Sequence, residues 1–401
     1  MVEAGLGGVY VKTALEQPTQ PPSTPPTKLM GPFEHVIKFS GLDCSRTRKE
    51  HITSLRGIFS TIIVAIIIIG LFYEMSQYMQ IKSPVLGIGW AESTVYAFFS
   101  MQCLIAAICV ICWTRDGFVA EFEEGLARVR LTRLSTNQKI DDYTAFHRKC
   151  ALMIIPIFFI VLMTSTASAI DMRYYRMENN TFFSTSPVFL IAPVIDIFGC
   201  LATSLCLVLY VTVSTSLARE IEHFNKELTN SGRFQQLTLP NILNSYSKRH
   251  SDIIQLIRFA NQNLRKYASI APFFTLVAFI NAIYILGSFN DIMEPYYFAL
   301  MLGWAVITVG ITAACFVPAN KIQDEIQETA EILMHDDVLQ TCGDDQMHHT
   351  YRVTLDRCQF SNSKIYFMNA FPMDSPTFNR IMFIFPNFAG MMSIYRQTLH
   401  R

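Results

Sequence analysis

Charge is scarce in this chain: Lys, Arg, Asp and Glu make up 16% of its 401 residues, and they balance to a formal charge of zero. A neutral chain offers no bulk attraction to nucleic-acid phosphates, so nucleic acid is not an expected partner. Residues 1–17 lack an apolar run between a basic start and a small-residue cleavage site, so no secretory signal is expected there. No Ser-His-Asp set, glycine-rich phosphate loop or carboxylate pair stands at catalytic spacing, which argues against an enzyme and calls for no cofactor. None of the ten cysteines falls in a segment that the basic residues place outside the cell, which excludes an extracellular disulfide framework. Cys109-Val-Ile-Cys112 has metal-ligand spacing, but it lies in an apolar run where free cysteine packs as a small apolar residue. His335, Asp336, Asp337, Asp344, Asp345, His348 and His349 match no standard metal spacing and read as a solvated loop.

What is present in quantity is hydrophobic sequence, 51% of the chain with 31 Phe. It is gathered into runs at 57–73, 93–114, 151–170, 187–218, 267–289, 296–319 and 376–395. A helix needs roughly 20 predominantly apolar residues to cross a bilayer. Five of these runs meet that length; the first is short unless helix continues past its ends, and the last carries Arg380. An all-α, seven-span membrane protein is expected, with the lipid bilayer as its solvent. Residues 1–50 read as a disordered cytosolic arm, Pro-rich at 17–32 (QPTQPPSTPPTKLMGP), and 51–401 as one receptor domain.

Basic residues set the orientation. Seven Lys and Arg precede the first run, seven separate the second from the third, eight the fourth from the fifth, and four the sixth from the seventh. The other three loops share Lys82, Arg173 and Arg176. Lys and Arg accumulate on the cytoplasmic side, so a cytosolic N-terminus and an extracellular C-terminus at the plasma membrane are expected. Asn179-Asn180-Thr181 is a glycosylation acceptor in a loop that this topology places outside.

The spans continue as amphipathic helices. Leu217, Ile221, Phe224 and Leu228 recur at helical spacing, as do Ile253, Ile257, Ala260 and Leu264, and Ile322, Ile326, Ala330 and Leu333. Phe118, Phe122, Leu126 and Val129 follow the second span in the same way. Arg219, Glu220, Lys226 and Glu227 fall between the apolar positions of the first of these. A cytosolic helix bundle covers such stripes better than a membrane surface, because the acidic flanks would be repelled by anionic lipid.

With seven spans, an internal N-terminus and helices extended into the cytosol, the chain resembles the invertebrate gustatory and odorant receptor superfamily. Residues 251–270 (SDIIQLIRFANQNLRKYASI) are similar to that superfamily's helix leading into the fifth span, where an Asn such as Asn261 or Asn263 is usual. Residues 365–397 (IYFMNAFPMDSPTFNRIMFIFPNFAGMMSIYRQ) resemble its last segment, with an Asp such as Asp374 before a final span ending in Gln. The family's Thr-Tyr and Gln-Phe signature is replaced: with Gln397 as its Gln, the Thr, Tyr and Phe places hold Gly390, Met391 and Thr398. This describes a divergent member, of a nematode-like serpentine branch. The resemblance implies a chemosensory receptor gated by a small molecule, working as a tetrameric cation channel with a pore lined by the seventh span.

A G-protein-coupled receptor is the alternative. Asp171-Met172-Arg173-Tyr174 imitates its Asp-Arg-Tyr with an extra residue at the wrong end, and Pro386-Asn387 reverses its Asn-Pro. A transporter would show paired internal repeats, and none is visible.

Polar residues inside spans are the site candidates. Asp196 in the fourth span is an ionisable group in lipid, placed to bind a cationic or hydroxyl-bearing ligand or to hydrogen-bond to Asn281. Ser165, Thr166, Asn281, Tyr284, Tyr297 and Trp304 occupy the outer halves of the third, fifth and sixth spans. An aromatic-lined cleft with few polar groups is the usual form of a small-molecule site. Under the channel reading, Asn387 and Gln397 present dipoles to passing ions. Arg380 at the inner end would oppose cations unless it snorkels to the interface or pairs with an acid.

Overall fold

In the computed structural model, the described residues are 29–42, 55–79, 84–133, 142–174, 192–341, 344–360 and 363–399. They form helices α1 (Pro32–Ser40), α2 (Leu55–Met79), α3 (Ile88–Arg115), α4 (Phe118–Leu131), α5 (Thr144–Tyr174) and α6 (Ala192–Arg233). There follow α7 (Pro240–Ser288), α8 (Pro295–Met334), α9 (Asp337–Thr341) and α10 (Asp345–Phe360). A two-residue hairpin, β1 (Tyr366–Phe367) with β2 (Phe371–Pro372), precedes the last helix, α11 (Ser375–Leu399).

Among the described residues, five helices are long and apolar enough to cross a membrane: α3, α5, α6, α7 and α8. The protein is therefore a helical, multi-pass membrane protein. The first and last predicted runs lie on α2 and α11, each 25 residues long. The short first run does gain helix at both ends.

α7 is the central helix, packed along α3 on one side and α8 on another, while α6 also packs on α3 and α8. α6, α7 and α8 run unbroken for 42, 49 and 40 residues, well past bilayer length. Their extensions form the expected bundle with α4 and α10. All sixteen stripe residues named above are buried there, from Phe118 through Leu333. The amphipathic pattern thus marks packed helices rather than helices lying on lipid. Below, "apical" is the end where α7 finishes and α3 and α8 begin, and "basal" is the end that carries this bundle.

Helix ends use local chemistry. Asp142 accepts the Thr144 amide at 2.8 Å and starts α5; that bond and others to Thr144 hold its carboxyl below the usual range. Asp336 caps Leu339 at 3.2 Å, Asp344 caps Gln346 at 2.9 Å, and Asp374 caps Thr377 at 2.9 Å. Two acids of the predicted acidic loop are therefore helix caps. Gly117, at φ +70°, turns the chain from α3 into α4, a conformation that favours glycine.

Residues 1–28 and 43–50 of the predicted N-terminal arm lie outside the described residues. Residues 29–42 pack on the body: Leu29 donates to Glu123 at 3.0 Å, its carbonyl meets His147 Nε2 at 2.8 Å, and Leu42 accepts from Thr114 at 3.0 Å.

Candidate functional site

The apical end is built from α3, α7, α8 and the tail of α11. Trp304 lies on α8, 2% exposed, with the Phe99 ring edge-on at 4.7 Å and Tyr96 at 6.2 Å. Tyr284 is buried and donates to the Leu86 carbonyl at 2.5 Å, which ties α7 to the turn before α3. Its ring meets Phe289 at 5.8 Å, and Arg396 of α11 lies over Phe289 at 3.9 Å while donating to Ser288 at 2.8 Å. Tyr284 therefore serves as a structural tie. Trp304, with Tyr96 and Phe99, forms the aromatic wall.

The other predicted cleft residues divide. Asn281 is buried and gives its amide to Val277 of its own helix at 2.9 Å, while its carbonyl oxygen has no partner among the described residues. Tyr297 is half-buried two residues into α8. Asp196 is half-buried one turn into α6. Ser165 and Thr166 sit on α5 where the side chains lie outside the described residues, and Asn179 lies outside them altogether.

α11 turns one face inward, with Ile381 and Ala389 buried against α7 and α8. Its opposite face exposes Phe383, Ile384, Phe388, Met391 and Ile394. Asn387 is on that exposed face and donates to Phe383 of its own helix at 2.7 Å; Arg380 and Gln397 are exposed as well.

The hairpin before α11 joins it to the long helices. Met368 donates to the Ser269 carbonyl at 3.0 Å, close to Pro272, where α7 lacks a backbone donor. Arg265 reaches Asn369 at 2.9 Å, Ser375 donates to Asn320 of α8 at 2.8 Å, and Phe316 of α8 lies between Phe367 and Phe378. Asn261 donates to the Ser363 carbonyl; the backbone carbonyl of Asn263 accepts from the Trp113 indole of α3 at 3.1 Å, and its side chain donates to Phe259 of its own helix. The residues quoted for the resemblance thus form a junction between α7, α8 and α11.

Sequence reasoning missed a buried ion network at the basal end. Arg133 holds Glu220 with two bonds, Nε to Oε1 at 3.0 Å. Arg249 of α7 pairs with Glu227 of α6 and lies 3.6 Å from Glu220, and His223 Nε2 is 3.1 Å from Glu227. All five side chains are at most 7% exposed. Glu220 and Glu227 stand between the apolar stripe positions of α6. They stand seven residues apart, on one helical face beside the Leu217–Leu228 stripe, and that spacing was the available signal. Lys226 remains exposed.

Next to Arg249 in the chain, His250 is buried with Nε2 3.6 Å from Cys358 of α10 and its ring against Phe224. Burial, and then the nearby Arg357, push its pKa down to about 4. A folded value below the free value of about 6.5 means that the neutral ring is favoured in the folded state. The stabilisation is complete above pH 6.5 and is lost as pH falls from 6.5 towards 4. Its full loss is roughly 3 kcal/mol. Melting of the purified chain at pH 7.5 and pH 5 should show part of this drop, about 2 kcal/mol, and His250→Asn should remove most of the difference.

Over residues 29–389 the sequence matches the family described as Caenorhabditis protein of unknown function, DUF267. The chain belongs to this family. No curated protein sequence matches it. Among solved structures, this DUF267 chain is similar to the insect olfactory receptor OR5 from Machilis hrabei, with a TM-score of 0.66 at 12% identity over 90% of this chain and 98% of that one. The same receptor in complex with eugenol gives a TM-score of 0.64 at 11% identity, covering 90% and 97%. At this identity the likeness is one of fold. It bears out the resemblance at the level of fold.

Proposed function

We propose that this DUF267 protein is a chemosensory receptor of the gustatory type that works as a ligand-gated cation channel. The observation that carries the reading is the likeness of fold to an olfactory receptor along 90% of the chain, which supports it over the G-protein-coupled alternative. In this reading seven helices span the plasma membrane, adding α2 and α11 to the five, with the N-terminus cytosolic, the C-terminus extracellular and Asn179 glycosylated.

A small apolar ligand enters the apical cleft beside Trp304, with Asp196, Ser165, Thr166, Asn281, Tyr284 and Tyr297 at or near it. The neighbour's complex with eugenol is the precedent for a small-molecule ligand. Displacement of α7 and α8 then reaches α11 through the hairpin junction. The exposed face of α11 supports a pore formed between copies of the chain, a tetramer by resemblance, with Asn387 and Gln397 on the ion path and Arg380 at its basal end.

The test is cation flux through the purified protein in liposomes, with small alcohols, phenols and esters as ligands. Flux without any G protein is the expected result. Silence across the panel, with nucleotide exchange on an added G protein, would favour the alternative. Asn387→Arg should abolish the flux and leave the melting temperature unchanged, because a cation on the path repels cations while the site is exposed in a single chain.

A further inference from the structure

The span that looks wholly uncharged holds a polar group that the cleft residues above do not include. Gln102 lies midway along α3, about 21 Å from its apical start at 1.5 Å per residue, and is 1% exposed. Thr275 of α7 stands with its hydroxyl 2.9 Å from Gln102 Oε1 and 2.9 Å from the Ala271 carbonyl. One hydroxyl proton cannot serve both acceptors. Gln102 Nε2 has no partner among the described residues.

The two ends of an amide are exchangeable at the level of heavy atoms, so both orientations matter. With the oxygen towards Thr275, two N–H groups and one lone pair remain. With the nitrogen towards Thr275, the threonine proton goes to Ala271, and one N–H and both oxygen lone pairs remain. In either case the amide keeps at least one donor and one acceptor unused. A polar group left so in a buried, low-dielectric place is costly, and polar groups inside spans mark function.

The aromatic wall lies further towards the apical end of α3. Phe99 is one turn towards the apical end on the same face of α3, with its ring against Trp304 at 4.7 Å, and Tyr96 is one turn further, 6.2 Å from the same indole. A molecule lying against Phe99 and Trp304 would have the Gln102 amide at its inner end.

We propose that Gln102 is the polar floor of the apical cleft and selects small apolar ligands that carry a hydroxyl group, an alcohol or a phenol. A hydroxyl donates to the amide carbonyl and accepts from the amide N–H together. An ether or ester oxygen only accepts, and a hydrocarbon does neither. The inference rests on the ligand-cleft reading.

It is tested on the full chain in detergent micelles with 4-ethylphenol, 4-ethylanisole and ethylbenzene, reading the rise in melting temperature against concentration. 4-Ethylphenol is expected to bind about tenfold more tightly than 4-ethylanisole, the scale of one buried hydrogen bond. Gln102→Met should bring that ratio to about one and leave the ligand-free melting temperature equal or higher. Trp304→Phe should weaken the two substituted probes alike and leave their ratio intact. Equal binding of phenol and anisole to the unaltered chain would overturn the role of Gln102 and leave the cleft standing. Binding by none of the three, as expected if Gln102 holds only a buried water, would overturn both. A Gln102→Met chain that does not fold would show the amide to be structural, and would overturn the inference.

Discussion

Glu220→Gln is expected to destabilise the fold sharply. The change keeps the shape of the side chain but removes one of two negative charges that face Arg133 and Arg249 in the buried network. One guanidinium is then held away from water without a counter-charge, which costs about 3–5 kcal/mol. Typical total stabilities are about 5–15 kcal/mol, so the loss reaches a large share of the whole. The readout is the monodisperse fraction on size exclusion and the melting temperature in detergent. Removing Arg133 and Glu220 together, as Arg133→Met with Glu220→Leu, should recover most of the loss, because an apolar pair of similar volume leaves no orphan charge.

Glu222 is the internal comparator. It also bridges two cations, Lys226 at 2.6 Å and Lys321 at 2.8 Å, but its side chain is 34% exposed. The hydrogen bonds from those lysines lower its pKa to about 2, yet solvent screens the pairs, and Glu222→Gln should change stability by less than about 1 kcal/mol. Equal, small effects of Glu220→Gln and Glu222→Gln would contradict the buried-network account.

Trp304→Ala carries the second large effect. The indole is 2% exposed and edge-on to Phe99, so truncation opens a cavity between α3 and α8. In lipid the loss comes through packing rather than through exposure to water, and it is expected to be on the order of 3 kcal/mol. Ligand-evoked flux should fall with it. Trp304→Phe should cost less than about 1.5 kcal/mol. If Trp304 were an interfacial anchor facing lipid headgroups, Trp304→Ala would barely move the melting temperature and would leave flux intact.

These contrasts also mark what the sequence could and could not convey. The apolar runs and the 3.6-residue stripes placed the long helices and their bundle, because burial in lipid and burial in a bundle both write themselves as periodic hydrophobicity. The charge pattern did not show that Glu220 and Glu227 are buried. A paired charge can share a buried face, and its partners Arg133 and Arg249 lie 87 and 29 residues from Glu220, beyond any local pattern. Tyr284 stood out in the sequence as a cleft residue, yet its hydroxyl is held by a backbone carbonyl 198 residues away. Gln102 left no visible signal beyond being an amide among apolar neighbours. Its importance lies in a proton that Thr275 cannot give twice, which only the packing of α3 on α7 reveals. Asn261, Asn263 and Asp374 were legible as family marks; Asn261 and Asp374 work at the junction around the hairpin, while the Asn263 carbonyl holds the Trp113 indole of α3.

The measurement that bears most directly on the central claim is antibody labelling of terminal tags on intact and permeabilised cells. A receptor of this fold inserted as proposed predicts an N-terminal tag that is hidden until permeabilisation and a C-terminal tag, just past α11, that is labelled on intact cells. An N-terminal tag labelled on intact cells, with the C-terminal tag hidden, would contradict the orientation and, with it, the channel reading.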